Sequence, residues 1–456
     1  MWPKSENVVH INYHYTQFGE IIDYLDKKFP NSIIPSDCDV SSNDVIELIR
    51  TNNIKKVVMN VNYENAKNAF SMAKKMNEQF TGIQILAYGS LPKMLPNIFT
   101  NSDFNAIFKD GDYECCIESF LENNLDEINK LNGLYLIHNG KLIETNRGNY
   151  IQSNQWGMSN KERVPVQEYD NIKGKNRYVI NISRGCPYGC KHCLIQLTEG
   201  RRERRRSIDN LEKVIDKIKS DYKHIKIWAA NFTLDKEYVK QFCELMREKY
   251  PDITWECATR IDLVRDKEML QDMYKSGCRQ ISLGIESLNN DELIHTKDFN
   301  ENEIKRAISD VHDAGIKVKG CIMLGMPNQT KESIVSTIKF LMDNQVIIRP
   351  TIYTPYHALG EKVDINMLSN YNRKTLKNNN VLGVTPDQLL QLVKDPYNYE
   401  QILELREEKA TVSNLTSKDI LRLTAYGMHE KPGYISRQIQ EFDRKINNKS
   451  MEEEER

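Results

Sequence analysis

Six times between residues 177 and 353, a short β-rich apolar run gives way to an amphipathic stretch. The runs predict strands at Tyr178–Ser183, Lys223–Trp228, Thr254–Cys257, Arg279–Leu283, Lys317–Met323 and Arg349–Tyr353. Between them, Asp209–Lys219 puts Leu211, Val214, Ile215 and Ile218 on one helical face. Asn302–Asp313 does the same with Ile304, Ala307, Ile308 and Val311, then stops at Gly315. Strands joined by helices run parallel, and such crossovers are right-handed. Six units at this spacing predict a closed or partial (β/α)6 barrel of the TIM type, whose chemistry collects at the C-terminal strand ends.

A second alternation occupies the first 130 residues. Strands are predicted at Val8–Tyr13, Lys56–Val61, Ile83–Ala87 and Asn105–Phe108, with helices over Phe18–Phe29, Ser42–Arg50 and Ala66–Phe80. This pattern predicts an open, Rossmann-like parallel sheet. Two short apolar runs then flank Asn139-Gly140, a type I′ turn pair, which predicts a β-hairpin within 133–144. The polar stretch 145–175, with Pro165, reads as a linker. The expected chain is therefore α/β: a Rossmann-like domain over 1–130, a hairpin and linker over 131–176, the barrel over 177–362, and a small, charged helical region over 363–456.

A formal net charge of −1 gives no global attraction to nucleic acid or to an anionic membrane. The basic run Arg201-Arg202-Glu203-Arg204-Arg205-Arg206 lacks the interleaved aromatics of a nucleic-acid module. It reads mainly as a solvated face, with one or two arginines available to a substrate phosphate or carboxylate. No apolar run approaches the roughly 18–20 residues of a membrane span, and the N-terminus shows no signal-peptide pattern. The expectation is a cytoplasmic protein with neither a membrane nor a nucleic-acid partner. In that reducing compartment, the ten cysteines are more suited to metal binding or chemistry than to disulfides.

Three of them stand apart. Directly after the first barrel strand comes Gly185-Cys186-Pro187-Tyr188-Gly189-Cys190-Lys191-His192-Cys193. This Cys-x3-Cys-x2-Cys spacing sets three thiolates on one loop that its glycines and Pro187 allow to wrap tightly. Thiolates are the ligands of iron–sulfur clusters, and supplying three of the four needed leaves one iron open. The other reading is a zinc site, which normally takes four protein ligands in two separated pairs. His192 adjoins Cys193, and neighbouring residues chelate one ion awkwardly. The other seven cysteines (Cys38, Cys115, Cys116, Cys243, Cys257, Cys278, Cys321) show no ligand spacing and read as small core residues.

The triplet, its place after strand one and the motifs at later strand ends resemble the radical SAM superfamily over about 177–362. The resemblance implies a [4Fe–4S] cluster on Cys186, Cys190 and Cys193, with S-adenosylmethionine (SAM) on the open iron. An electron from the cluster would then cleave the sulfonium C–S bond to give a 5′-deoxyadenosyl radical. It also implies SAM contacts. His192 stands where the family usually has an aromatic residue near the adenine. Ala230 and Asn231 stand where a Gly-Gly-Glu-like turn binds the SAM amino group, here through backbone carbonyls. Arg260 resembles the family's position for holding the SAM carboxylate, a surface arginine capping the next helix being the alternative. Glu286 and Ser287, in Gly284-Ile285-Glu286-Ser287, are similar to the ribose-contacting motif. Pro327, in Leu324-Gly325-Met326-Pro327, resembles the turn near the adenine. Tyr356 and His357 are expected to face a substrate cavity, core packing being the alternative for the tyrosine.

The N-terminal domain is similar to the cobalamin-binding domain of one large radical SAM subgroup. Ala87-Tyr88-Gly89-Ser90-Leu91-Pro92 and Lys109-Asp110-Gly111-Asp112-Tyr113-Glu114 carry the likeness. The subgroup usually has Gly-Gly where this chain has Tyr88-Gly89. The cobalt-ligating Asp-x-His-x-x-Gly is absent, Asn12-Tyr13-His14 coming nearest. Bound cobalamin and a retained scaffold without it both stay open. The expected function is a radical SAM enzyme acting on an unactivated carbon of a small metabolite, reduced by a donor such as flavodoxin or ferredoxin. Cobalamin-dependent methyl transfer in natural-product biosynthesis is the leading outcome. A cobalamin-independent dehydratase or epimerase of a sugar-like substrate is the alternative, and a non-catalytic metal-binding electron carrier is the rival from another class.

Overall fold

The computed structural model describes residues 8–11, 16–29, 42–63, 65–158, 177–190, 192–289, 299–324, 326, 328–353, 365 and 368. The chain divides into two compact units, Met1–Ala230 with Pro355–Tyr371 and Asn231–Thr354 with Asn372–Arg456.

The first unit contains a sheet in the order β1 (Val8–Ile11), β2 (Lys56–Asn60), β3 (Gln84–Tyr88), β4 (Ala106–Phe108), β5 (Leu134–His138) and β6 (Lys141–Glu144). Strands β1 to β4 are parallel, and β5 and β6 add antiparallel. Alternate side chains on β2 enter opposite cores, as the strand period of two requires. Val57 and Met59 join Val45, Ile49, Met72 and Met76 from helices Ser42–Thr51 and Ala66–Gln79. Val58 joins Ile21, Leu25, Ile117 and Phe120 from helices Thr16–Leu25 and Tyr113–Glu122. Helices on both faces explain why these strands are apolar throughout. Fully burying each such side chain is worth about 1.5–3 kcal/mol. At the hairpin, Asn139 (φ 50°) and Gly140 (φ 72°) take the two left-handed positions of a type I′ turn, as the sequence predicts.

The stretch after the hairpin lies against the same unit. Gly148 N–H donates to Asp110 (2.6 Å), Ile151 N–H donates to Asp112 (3.0 Å), and Trp156 is buried. The expected linker beyond residue 158 lies outside the described residues until 177. There β7 (Arg177–Asn181) begins and pairs in parallel with β10 (His224–Trp228). Between them run β8 (Ser183–Arg184), antiparallel to β9 (Arg204–Arg205), and helix Ile208–Ile218, which Ser207 caps by accepting from Asn210 N–H.

The second unit is a parallel sheet of β11 (Thr254–Thr259), β12 (Cys278–Glu286), β13 (Lys317–Leu324) and β14 (Ile347–Ile352). Its helices Lys236–Lys249, Lys267–Lys275, Glu301–Asp313 and Lys331–Asp343 all start on a capping side chain: Asp235, Asp266, Asn300 and Thr330. Helices cover one face. Trp255 meets Phe242 of Lys236–Lys249 edge-on at 5.0 Å, and a Cβ added to Gly320 would meet Leu341 of Lys331–Asp343 at 3.4 Å.

The α/β reading with parallel sheets therefore stands. β11 and β12 run on past Cys257 and Leu283 to Thr259 and Glu286. The expected helical region over 363–456 lies outside the described residues except at Ile365 and Leu368, as do Tyr356, His357, Cys38, Asn12, Tyr13 and His14. Among the described residues, no helix is long and apolar enough to cross a membrane.

Candidate active site

The three-cysteine loop is fastened to the segment that follows it. Gly185 takes φ 86°, and a Cβ there would collide with the Arg202 carbonyl oxygen, so only glycine fits. Its N–H donates to the Glu199 carboxylate at 2.9 Å, and Cys186 N–H donates to Gly200 O at 3.1 Å. Cys193 N–H donates to Cys190 O at 3.0 Å, closing the last turn. Cys186 and Cys190 are buried, Cys193 and His192 are half-buried, and all three thiols are free of disulfides. Among the described residues, no three His, Cys, Asp or Glu side chains converge closely enough to hold a metal ion. The donor chemistry nonetheless fits a cluster: three thiols outside any disulfide sit on one short loop, with no carboxylate between them.

The basic run is not the solvated face its composition suggests. Only Arg201 and Arg202 are exposed; Arg204 and Arg205 are half-buried, and Arg206 is 1 % exposed. Arg206 donates to Glu20 (3.2 Å), to the Trp156 and Gly157 carbonyls (3.1 and 2.9 Å) and to Asn181 O (3.1 Å). Arg204 grips Asp112 with both terminal nitrogens, at 2.6 and 2.7 Å. Arg184, just before the loop, does the same to Glu114 (3.1 and 2.7 Å) and reaches Glu20 at 3.5 Å, with its guanidinium 4.6 Å from the Trp156 ring. Buried charges persist only when paired and hydrogen-bonded, and these are. Burial opposes the charge on Arg184, but Glu114, Glu20 and Asp112 outweigh it and hold the guanidinium firmly protonated. Burial raises the Glu20 carboxyl above its ordinary range despite the pull of Arg206 and Arg184. These arginines bind the chain's own acids, and none of the three is available to a substrate anion.

The other sequence-predicted residues occupy strand ends. Half-buried Ala230 closes the first unit. Asn231 opens the second, is buried, and its carbonyl accepts from Leu234 N–H (3.2 Å). Arg260 follows β11, buried, with its guanidinium on Asp262 (2.9 and 3.3 Å) and 5.7 Å from the Phe299 ring. Glu286 ends β12 at φ 64°, a left-handed position that costs a non-glycine residue about 1–2 kcal/mol. A register shift beside Gly284 and a tight turn, Ser287 N–H to Ile285 O (2.9 Å), hold it there. Strain of this kind gathers at functional sites. Pro327 lies outside the described residues, but Gln329 braces the same turn by bonding Met326 N–H and Met323 O.

In the N-terminal sheet, the glycines of the two likeness motifs serve packing. A Cβ on Gly89 would lie 2.6 Å from Val61 O, and one on Gly111 2.6 Å from Asn149 O. Tyr88 is buried and packs against Tyr113 at 5.3 Å.

Residues 180–341 match the model of the Radical SAM superfamily. An uncharacterized methyltransferase of Pyrococcus horikoshii is 26 % identical over 211 residues, which cover 44 % of this chain and 46 % of the relative. An anaerobic magnesium-protoporphyrin IX monomethyl ester cyclase of Rubrivivax gelatinosus is 27 % identical over 265 residues, 54 % and 46 % of the two chains. The matched stretch thus spans under half of either relative. The radical SAM methyltransferase TsrM of Kitasatospora setae, solved with tryptophan substrate and a SAM analogue, superposes with a TM-score of 0.67 at 12 % identity, covering 96 % of this chain and 99 % of that one. The cobalamin-dependent SAM radical enzyme OxsB gives 0.59 at 17 % identity, over 97 % and 61 %.

Proposed function

We propose, from the premise that this chain is a radical SAM enzyme by its domain at residues 180–341, that it methylates an unactivated carbon of a small metabolite with cobalamin as second cofactor. The observation that carries this reading is the fold likeness to TsrM over nearly the whole of both chains. TsrM is described with cobalamin and a [4Fe–4S] cluster bound, and relatives that methylate bacteriochlorophyllide d lie in the same direction. In this reading the first sheet is the Rossmann-like cobalamin domain, and β7 with β10 to β14 are the strands of a partial (β/α)6 barrel.

Cys186, Cys190 and Cys193 hold the cluster. His192, Ala230, Asn231, Arg260, Glu286, Ser287 and Pro327 surround SAM, with Glu286 accepting from ribose hydroxyls and Arg260 sharing its charge between Asp262 and the SAM carboxylate. The cluster with SAM supplies one-electron cleavage of a C–S bond, and cobalamin supplies a methyl-carrying cobalt. A flavodoxin- or ferredoxin-type protein reduces the cluster, and the enzyme works in the cytoplasm.

Anaerobically purified, reconstituted enzyme tests this, incubated with SAM and reductant with and without added cobalamin. Cobalamin retained through purification, with S-adenosylhomocysteine formed only in its presence, is the expected result. 5′-Deoxyadenosine formed without cobalamin retention or dependence would move the assignment to a cobalamin-independent dehydratase or epimerase. Zinc as the sole metal, with no SAM cleavage, would overturn both.

A further inference from the structure

The second unit's sheet face opposite its described helices carries an arginine with no ion pair or hydrogen bond among the described residues. Gly320 fixes which face this is. A Cβ there would point at Leu341 and Ile285 on the helix-covered side, so Lys319 and Cys321, its neighbours on β13, point the other way. Register extends the assignment: Ala258 lies opposite Ser282, Ser282 opposite Lys319, Gly284 opposite Cys321, and Cys321 opposite Arg349. Nearer the strand starts, Glu256 is the acid on this face. Gln280 donates to Glu256 at 2.6 Å, and Lys319 Nζ lies 3.9 Å from Glu256 Oε2. Level with Lys319 on the adjoining strands and one step beyond it, small half-buried residues, Ala258, Ser282, Gly284 and Cys321, leave the surface low. Beside them stands Arg349, half-buried on its strand, with no ion pair or hydrogen bond among the described residues.

We propose that Arg349 binds an oxyanion of the small-molecule substrate, a carboxylate or a phosphate, seated over Gly284 and Cys321. A guanidinium presents a planar fork of donors that matches either group bidentately. Every other buried or half-buried arginine discussed above has a carboxylate of this chain in its fork; among the described residues, this one does not. Low residues on the neighbouring strands leave the fork approachable from the face opposite the described helices. That the bound molecule is the substrate rests on the radical SAM reading; that the site binds an oxyanion does not.

The test titrates reconstituted enzyme with inorganic phosphate and, separately, with acetate by calorimetry, using wild type, Arg349→Gln and Arg349→Lys. Saturable binding of at least one anion is expected in wild type, weakened roughly tenfold or more in Arg349→Gln. Arg349→Lys should lose severalfold, keeping the charge without the fork. The tighter anion names the substrate group. No saturable binding in wild type, or equal affinity in a folded Arg349→Gln, overturns the proposal. If Arg349→Gln fails to fold, wild-type affinity in Arg349→Lys overturns it instead. SAM cleavage by the same wild-type preparation is scored separately, so its failure would sink the radical SAM reading and leave the anion site to its own titration.

Discussion

Glu199 accepts from the N–H of the residue before Cys186, so one carboxylate links the loop to its surroundings. Burial raises its pKa above the ordinary value of 4.5, opposed by the Gly185 bond and by Arg184 and Arg204. The folded chain then holds this proton more tightly than the unfolded chain does. In the window above pH 4.5 its contribution to stability falls as pH rises. Glu199→Gln keeps an acceptor for Gly185 but cannot titrate, so urea midpoints should show the wild type losing stability relative to the variant across that window. A difference independent of pH would contradict the shift. Cys190→Ala should abolish both the broad visible absorbance of a reconstituted cluster and all 5′-deoxyadenosine formation; surviving cleavage would refute the ligand assignment. The triplet was legible as a candidate site because ligands of one cluster can share one loop, so spacing alone singles it out. Arg206 was not, because its carboxylate partner Glu20 lies 186 residues away. A basic run looks the same on paper whether water or a distant acid neutralises it.

Elements were legible where period and caps agreed. In helix Glu301–Asp313, Asn300 and Glu303 form a capping box, the buried Ile304, Ala307, Ile308 and Val311 follow the predicted stripe, and Gly315 takes φ 84° beyond the end. Thr330 and Ser333 make the equivalent box for Lys331–Asp343, the helix that covers β14. Thr330→Ala should cost about 1 kcal/mol in urea unfolding, while Thr330→Ser should stay near wild type; equal loss in both would show that the hydroxyl is not what caps the helix. Strands β8 and β9 escaped notice for a physical reason. Two residues contain no period, and the arginines on them, Arg184 and Arg204, are held by carboxylates rather than by an apolar alternation. The extensions of β11 and β12 were missed because Thr259 and Glu286 are polar ends, where the apolar signal fades before the hydrogen bonding does.

At the scale of the molecule, the N-terminal sheet and the three-cysteine loop belong to one unit, and buried charge explains why they cannot be parted. Glu20 sits on helix Thr16–Leu25, Asp112 and Glu114 sit at the start of helix Tyr113–Glu122, and Arg184, Arg204 and Arg206 flank the loop. Removing one partner of a buried pair leaves the other charge uncompensated, at about 3–5 kcal/mol, against a total stability of about 5–15 kcal/mol for a domain. A chain beginning at residue 177 retains the arginines but loses Glu20, Asp112, Glu114 and the Trp156 ring over Arg184. Several such losses exceed the margin, so this fragment should be insoluble or unfolded on size-exclusion chromatography, although it keeps the whole matched family segment. Replacing Arg184 and Arg206 by Met within the fragment removes the stranded charges and should recover part of the soluble yield. A fragment that is soluble and folded without those changes would show that the loop stands independently of the N-terminal sheet. An insoluble or unfolded fragment would instead make the N-terminal sheet a structural requirement of the three-cysteine loop, whether or not it also carries a cofactor.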